Sequence, residues 1–338
     1  MIILENISLK PYNTFGIQAE ARVFAEMHTL QDIQTFLNTA KYKGRQKLIL
    51  GGGSNILFTK DFEGVVMKIN TKGILKIKET EQHVWINTQA GVVWDDFVIY
   101  CLENNYGGIE NLALIPGNVG ACPIQNIGAY GVEVKDTIES VEVINMQTLQ
   151  MFELHNNECD FGYRNSIFKH ELKDKVIIIS VNFKLSKKHQ LHIEYGAIKE
   201  ELTEHEIFKP TIRDVANAVS NIRRCKLPDP KDIGNSGSFF KNPSVSEKDF
   251  KKLISLFPKI PSYAQTDGTY KIPSGWLIEQ CGWKGHREGD AGVHKDQALV
   301  LVNHGNATGS EILDLAGKIQ KSIIEKFGIN LEMEVNVI

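Results

Sequence analysis

The stretch IPGNVGACPIQNIGAYG (115–131) constrains this chain more than any other. Four glycines and two prolines stand there among small side chains. Neither a regular helix nor a central strand can run through it. Glycine lets a backbone come close to a ligand, and Gln125 and Asn126 carry amides suited to a heteroaromatic ring. A plain connecting loop rarely needs so many small residues together, so the residues favour a ligand-facing segment.

A second glycine cluster, LILGGGSNILF (48–58), looks at first like a dinucleotide fingerprint. Aligning Gly51 and Gly53 with GxGxxG puts Ile56 where the third glycine belongs. The next strand, MKIN, closes on Asn70 rather than on an acid about twenty residues on. A Rossmann site is therefore not expected. Two readings stay open: a glycine turn whose backbone N–H groups face a pyrophosphate with Ser54 and Asn55, or an ordinary strand-to-loop turn.

A third constellation joins FGYRNSIFK (161–169), GNSGSFFKNP (234–243) and LEMEV (331–335). Singly, Arg164 reads as a surface ion-pair partner, Ser238 as a turn residue and Glu334 as part of a solvated strand face. Together they would offer a cation for a carboxylate, a hydroxyl proton donor and an acid.

Periodicity around these segments predicts an α+β protein. Leu30, Ile33, Phe36, Leu37 and Ala40 share one helical face behind a Thr29–Asp32 capping box. Lys47–Leu50 and His83–Ala90 read as strands, Trp94–Cys101 as a helix, and KVIIISVNF as a buried strand. A helix near Arg213–Arg224 must stop by Leu227, because Pro228 and Pro230 follow. ALVLV (298–302) reads as a buried strand. The next helix begins at a Thr308–Glu311 capping box, buries Ile312, Leu315, Ala316, Ile319 and Ile323, and stops at Gly328. Ile329 to Val337 alternates cleanly and predicts a final strand with Ile329, Leu331, Met333, Val335 and Val337 on one face.

The 338 residues suffice for two or three domains. Lys and Arg total 38 against 41 acidic side chains, with no basic stripe, so nucleic acid is not an expected partner. No apolar run is long enough to span a bilayer, and the N-terminus lacks the pattern of a secretory signal. Five scattered cysteines without a CxxC pair suit reduced thiols in a cytoplasmic protein and no metal site. HExxH, GxSxG and the P-loop pattern are absent, which removes the commonest zinc-protease, hydrolase and NTPase signals.

At these residues the chain resembles the UDP-N-acetylenolpyruvoylglucosamine reductase (UDP-N-acetylmuramate dehydrogenase, MurB) family, in its longer subtype. The resemblance runs through YNTFGI (12–17), LGGGSNILF, AGVVWDDF (90–97), the 115–131 segment, FGYRNSIFK, KLPDP, GNSGSFFKNP, GWLIEQCGWKG (275–285), AGVHKDQALVLVN (291–303) and LEMEV, in the family's order. It implies a two-lobed FAD-binding domain of the vanillyl-alcohol oxidase / p-cresol methylhydroxylase type (1–70 and 71–225). A C-terminal α+β substrate-binding domain (226–320) follows, with 321–338 carrying Glu334.

The activity implied is NADPH-dependent reduction of UDP-N-acetylglucosamine enolpyruvate through non-covalent FAD, in peptidoglycan precursor synthesis, by a cytoplasmic monomer. By the same resemblance, Asn13, Thr14, Gly51, Gly52, Gly53, Ser54 and Asn55 would hold the flavin dinucleotide, its pyrophosphate nearest the glycine turn. Pro116, Gly117, Gly120, Ala121 and Cys122 would line it, as would Gln125, Asn126, Gly128, Ala129 and Tyr130. Tyr163 and Arg164 would sit over the substrate, Ser238 would give the proton, and Glu334 would complete the site. Tyr195 corresponds to a mobile-loop tyrosine; Lys226, Asn242, Tyr263, Lys284 and Gln297 match positions that hold the UDP-sugar, the first two at its diphosphate. Cys122 stands where many members have Ser, Ala or Gly, and the chain stops four residues after Glu334, so the last strand is expected to be loosely held. Two other readings share these residues: an oxidase of the same flavin fold, and an inactive UDP-sugar sensor.

Overall fold

The structure, a computed structural model, describes residues Met1–Ile338. Two compact units emerge. The first comprises Met1–Ile7, Ala21–Gly53 and Phe62–Cys225, and the second Ser8–Glu20, Ser54–Asp61 and Lys226–Ile338.

In the first unit, strands Ile2–Ser8, Glu20–Met27, Phe62–Ile69 and Lys47–Leu50 form a sheet in that order. The last two pairings are parallel, and the helix Leu30–Asn38 lies in the connection between Glu20–Met27 and Lys47–Leu50. Its capping box forms as expected and it buries Ile33, Phe36 and Leu37. Ala40, predicted on that face, is exposed, because the helix ends at Asn38 and the chain turns away.

The second sheet of this unit is antiparallel, in the order Met151–His155, Ile138–Asn145, Val176–Ser186, His83–Gln89, Ile74–Glu79. Its strands sort their side chains by face. Val141, Val143, Val181 and Phe183 enter the core with Trp94 and Phe97 of the helix Trp94–Glu103. The other face carries a polar seam: Asn87 donates to Ser180 Oγ at 2.9 Å and Asn182 Oδ1 at 2.7 Å, and Asn182 donates to Ser140 Oγ at 2.9 Å. Ser180 and Ser140 are fully buried, so these bonds replace the water they lack. The helix Ile212–Lys226 adds Val215, Val219 and Ile222 and ends before Leu227, as the prolines require.

The second unit is built of shorter pieces. Strands Gly234–Ser238, Val300–Asn303, Ala291–Val293 and Arg287–Glu288 form an antiparallel sheet. The helix Gly309–Phe327 has the predicted Thr308–Glu311 box and apolar face, and Gly328 closes it at φ 68°. The two early excursions dock onto this unit through backbone. Asn235 N–H donates to Thr14 O at 3.0 Å, Asn303 Nδ2 to Phe15 O at 2.9 Å, and Ser310 Oγ to Thr59 O at 3.3 Å.

The C-terminal segment departs from expectation. Ile329, Leu331 and Val335 are buried, but Val337 is exposed and no continuous strand forms. Met333 bridges Phe240, and only Asn336–Val337 makes a strand, parallel to Ile56–Leu57. The partner strand has just two residues, so the ladder stops there. The end is nonetheless tied: Ile338 N–H donates to Leu57 O at 2.9 Å, and Thr59 N–H to Ile338 O at 2.8 Å.

Candidate active site

In the first unit the two glycine segments meet. Lys47–Leu50 runs into Gly51–Gly53, with Gly53 at φ 67°. A Cβ on Gly52 would stand 2.8 Å from Gly117 Cα and 2.9 Å from Asn118 Oδ1, so only glycine permits the approach. Gly120 presses on Ala90 in the same way, at 2.6 Å from its Cβ. Asn118 Nδ2 donates to Gly91 O at 2.9 Å, and the Val119 and Gly120 N–H groups donate to Val92 O and Ala90 O, both at 2.9 Å. These bonds fix the 116–121 backbone, and Ala121 N–H returns to Asn118 O. The N–H groups of Gly52 and Gly117 take no partner within the protein, and Gly52 is exposed. Unpaired donors where two glycine segments touch fit the diphosphate of a dinucleotide such as FAD.

Beyond this cradle, Cys122 is buried in the core, and burial pushes its thiol well above the ordinary range. Buried and held protonated, it stands as a packing side chain. Asn126 is fully buried at φ 45°, and its amide is already committed. Nδ2 donates to Glu133 Oε2 and Gly162 O, both at 3.0 Å, and Oδ1 accepts the Lys135 N–H at 3.1 Å. Gln125 and Pro116 lie on the same segment, and Ala129 pairs with Val132 in a tight hairpin.

Arg164, at φ 51°, is drawn onto this segment: Nη2 donates to Gly128 O at 2.6 Å and Nη1 to Asn126 O at 3.4 Å. Its guanidinium carbon stands 5.3 Å from the Tyr163 ring centroid. Tyr130 meets Tyr195 edge-to-face at 5.4 Å between ring centroids. Tyr195, half exposed, sits at the start of the helix Gly196–Glu204. Arg223, unremarked in the sequence, donates Nε to Leu114 O at 3.3 Å, and burial lowers its pKa.

The second unit gathers a different set. Ser238 ends the strand Gly234–Ser238 after a bulge in which Gly237 takes φ 72°. Glu334 N–H donates to Phe239 O at 2.8 Å, so a hydroxyl and a carboxylate stand on neighbouring backbone segments. Asn55 Nδ2 donates to Glu334 O at 3.3 Å, and Asn336 N–H to Asn55 O at 3.2 Å. Ser54 and Asn55 thus belong with this unit, whereas Gly51–Gly53 belong with the first. Asn13 is buried and braced: its Nδ2 donates to Leu9 O and Ile17 O, and Oδ1 accepts the Ile17 N–H.

Asn242 Oδ1 accepts the Ser274 N–H at 2.9 Å, which holds the oxygen inward and leaves the amide NH₂ to present. Gln297 stands beside Gly275 at the start of the same helix, Ser274–Gln280, whose added Cβ would lie 3.3 Å from Gln297 Oε1. Lys284 pairs with Glu279 at 3.0 Å. Tyr263 and Lys226 are exposed.

Sequence comparison gives this arrangement its class. Residues 21–148 match an FAD-binding domain, and residues 229–338 match the UDP-N-acetylenolpyruvoylglucosamine reductase C-terminal domain. The protein is a flavin-dependent oxidoreductase of α+β architecture. The chain is 53% identical to the UDP-N-acetylenolpyruvoylglucosamine reductase of Flavobacterium johnsoniae over the full length of both. It is 45% identical to that of Pseudomonas aeruginosa over 98% of each. The crystal structure of the Thermus caldophilus enzyme shares the fold, with a TM-score of 0.68, 23% identity and 99% of each chain covered. The chain belongs to the UDP-N-acetylenolpyruvoylglucosamine reductase family.

Proposed function

We propose that this protein reduces the enolpyruvyl ether of UDP-N-acetylglucosamine to the D-lactyl ether of UDP-N-acetylmuramate. NADPH is the reductant, and the reaction supplies peptidoglycan precursors in the cytoplasm. The observation that supports this most is the 2.8 Å bond between Glu334 N–H and Phe239 O, which puts Glu334 on the backbone segment next to the one that carries Ser238, in a chain of this family.

Bound FAD supplies the hydride chemistry, carrying a hydride from NADPH to the terminal CH₂ of the enolpyruvyl group. Addition there places negative charge on the adjacent carbon and the attached carboxylate, which calls for fixed charge and donors. Arg164 is assigned the cation for that carboxylate. Its bonds to Gly128 O and Asn126 O hold the guanidinium in place before any ligand arrives. Tyr163 is assigned the cover over the substrate. Ser238 is assigned the proton for the adjacent carbon, and Glu334, carrying a proton, the hydrogen bond to the developing charge. Lys226 and the free amide edge of Asn242 are assigned the diphosphate; Tyr195, Tyr263, Lys284 and Gln297 are assigned the rest of the nucleotide sugar. For Lys284 this means exchanging Glu279 for the ligand.

Anaerobic stopped-flow absorbance separates the two halves. Ser238→Ala should slow reoxidation of the flavin by the enolpyruvyl sugar at least ~10²-fold and leave its reduction by NADPH nearly intact. Equal slowing of both halves would remove Ser238 from the proton-donor role. Flavin that recovers only when oxygen enters would point to an oxidase instead.

A further inference from the structure

The strand Phe62–Ile69 is buried at Val65, Val66, Met67 and Ile69, and one lysine interrupts it. Lys68 stands opposite Leu50 in the parallel ladder, directly before the glycine turn. Its ammonium donates to the Gly51 carbonyl. Lys72 donates to Gly91 O, the same carbonyl that takes the Asn118 amide. Neither lysine has a carboxylate in ion-pair contact. The acid that acts on Lys68, Glu26, is already bonded to Asn70 Nδ2 at 2.7 Å. Burial lowers the Lys68 pKa, Lys72 lowers it further, and Glu26 opposes them. A half-buried cation without a counter-ion costs folding free energy, and it is most readily offset by an anion that arrives later.

The peptide geometry indicates where that anion would sit. In a trans peptide the C=O and N–H point in opposite directions. With Lys68 on the Gly51 carbonyl, the Gly52 N–H of the same peptide points away from the lysine, and it has no partner in the protein. A cation on the carbonyl end polarises the peptide and strengthens its N–H as a donor.

We propose that Lys68, backed by Lys72, supplies the positive charge that holds the flavin dinucleotide's diphosphate, acting through the Gly51–Gly52 peptide. This rests on the reading that the Gly51–Gly53 turn takes the diphosphate.

The test strips flavin from the full-length protein and titrates back FAD or riboflavin, which lacks phosphate, at low and high salt. Lys68→Met should weaken FAD about tenfold, leave riboflavin unchanged and flatten the salt dependence of FAD binding. The thermal midpoint of the flavin-free variant should match or exceed that of the parent, because an uncompensated charge has gone. Lys68→Arg should keep most of the affinity. Gly52→Ala tests the underlying reading. Should Gly52→Ala weaken FAD while Lys68→Met binds it normally at both salt levels, the lysine has no such role. Equal weakening of FAD and riboflavin by Lys68→Met, with a lower flavin-free midpoint, would make Lys68 a structural strand residue and overturn the proposal. If neither variant changes FAD affinity, the glycine turn does not hold the diphosphate and both readings fall.

Discussion

The two units use glycine for different ends. In the first, Gly52 and Gly117 come together and leave N–H groups open, at a turn that is partly exposed. In the second, glycine lets distant chain pass through a packed interior. A Cβ on Gly309 would lie 1.7 Å from Phe58 O, and one on Gly234 would lie 2.2 Å from Phe15 O. Those carbonyls belong to the two early excursions, far away in sequence. The sizes of the cores explain the contrast. The first unit has long ladders, including the strand Val176–Ser186, and a continuous apolar cluster; Gly64 and Gly91 pass close to backbone there too, but the Gly52 turn lies at its surface and is open to ligand contact. The second unit relies on short strands and needs backbone-to-backbone docking to complete its packing.

That contrast can be broken by substitution. Gly309→Ala should carry the largest effect, a loss of about 3 kcal/mol or more in chemical denaturation, since a packed carbonyl cannot yield to a methyl group. A loss below about 1 kcal/mol would show that the Ser54–Asp61 excursion is only loosely docked. Gly52→Ala should cost less stability than Gly309→Ala, because its turn is exposed and the overlap smaller, while FAD affinity falls about tenfold. If stability falls as far as for Gly309→Ala, the distinction between the two kinds of glycine fails. Gly317, exposed within the helix Gly309–Phe327 with nothing near its would-be Cβ, should behave oppositely. Gly317→Ala should raise the unfolding free energy in chemical denaturation by about 0.5–1 kcal/mol.

The smallest effect expected is in pH. Burial lowers the pKa values of His294 and His304 below 6.5, so the unfolded chain binds protons more readily than the folded one below that pH. Stability from this source is present above the unfolded value and lost as pH falls through it. Denaturation at pH 7 and 5.5 should show the decline, and His304→Gln should reduce it.

Local rules carried much of the fold. Capping boxes at Thr29 and Thr308, the stop at Gly328 and the proline limit after Lys226 all depend on neighbours within a few residues, and each appears where periodicity places it. The helices Gly196–Glu204, Glu247–Leu256 and Ser274–Gln280 went unread. The last is short and the first carries only Ile198 and Leu202 inward, whereas Phe250, Leu253, Ile254 and Phe257 at helical spacing behind Ser246 were a visible signal for the helix Glu247–Leu256. The C-terminal alternation named the buried face through Val335 but overstated the strand, since strand length is set by the partner and Ile56–Leu57 is short.

For the candidate site the division is similar. The glycine segments, Arg164, Ser238 and Glu334 were legible as unusual residue types in unusual settings. Lys68 was not singled out, although a lysine directly after the apolar run Val65–Met67 was a visible signal. By itself the sequence determined the capped helices and most of the buried strands, the family and the kinds of chemistry available, because these depend on local pattern and residue type. Tertiary structure alone decided that Ser54 and Asn55 part company with Gly51–Gly53, that Glu334 stands beside Phe239, and that Asn126 is already committed inside the protein. Those outcomes depend on hydrogen bonds between residues as far apart as Asn55 and Glu334, and one-dimensional spacing carries no record of such pairings.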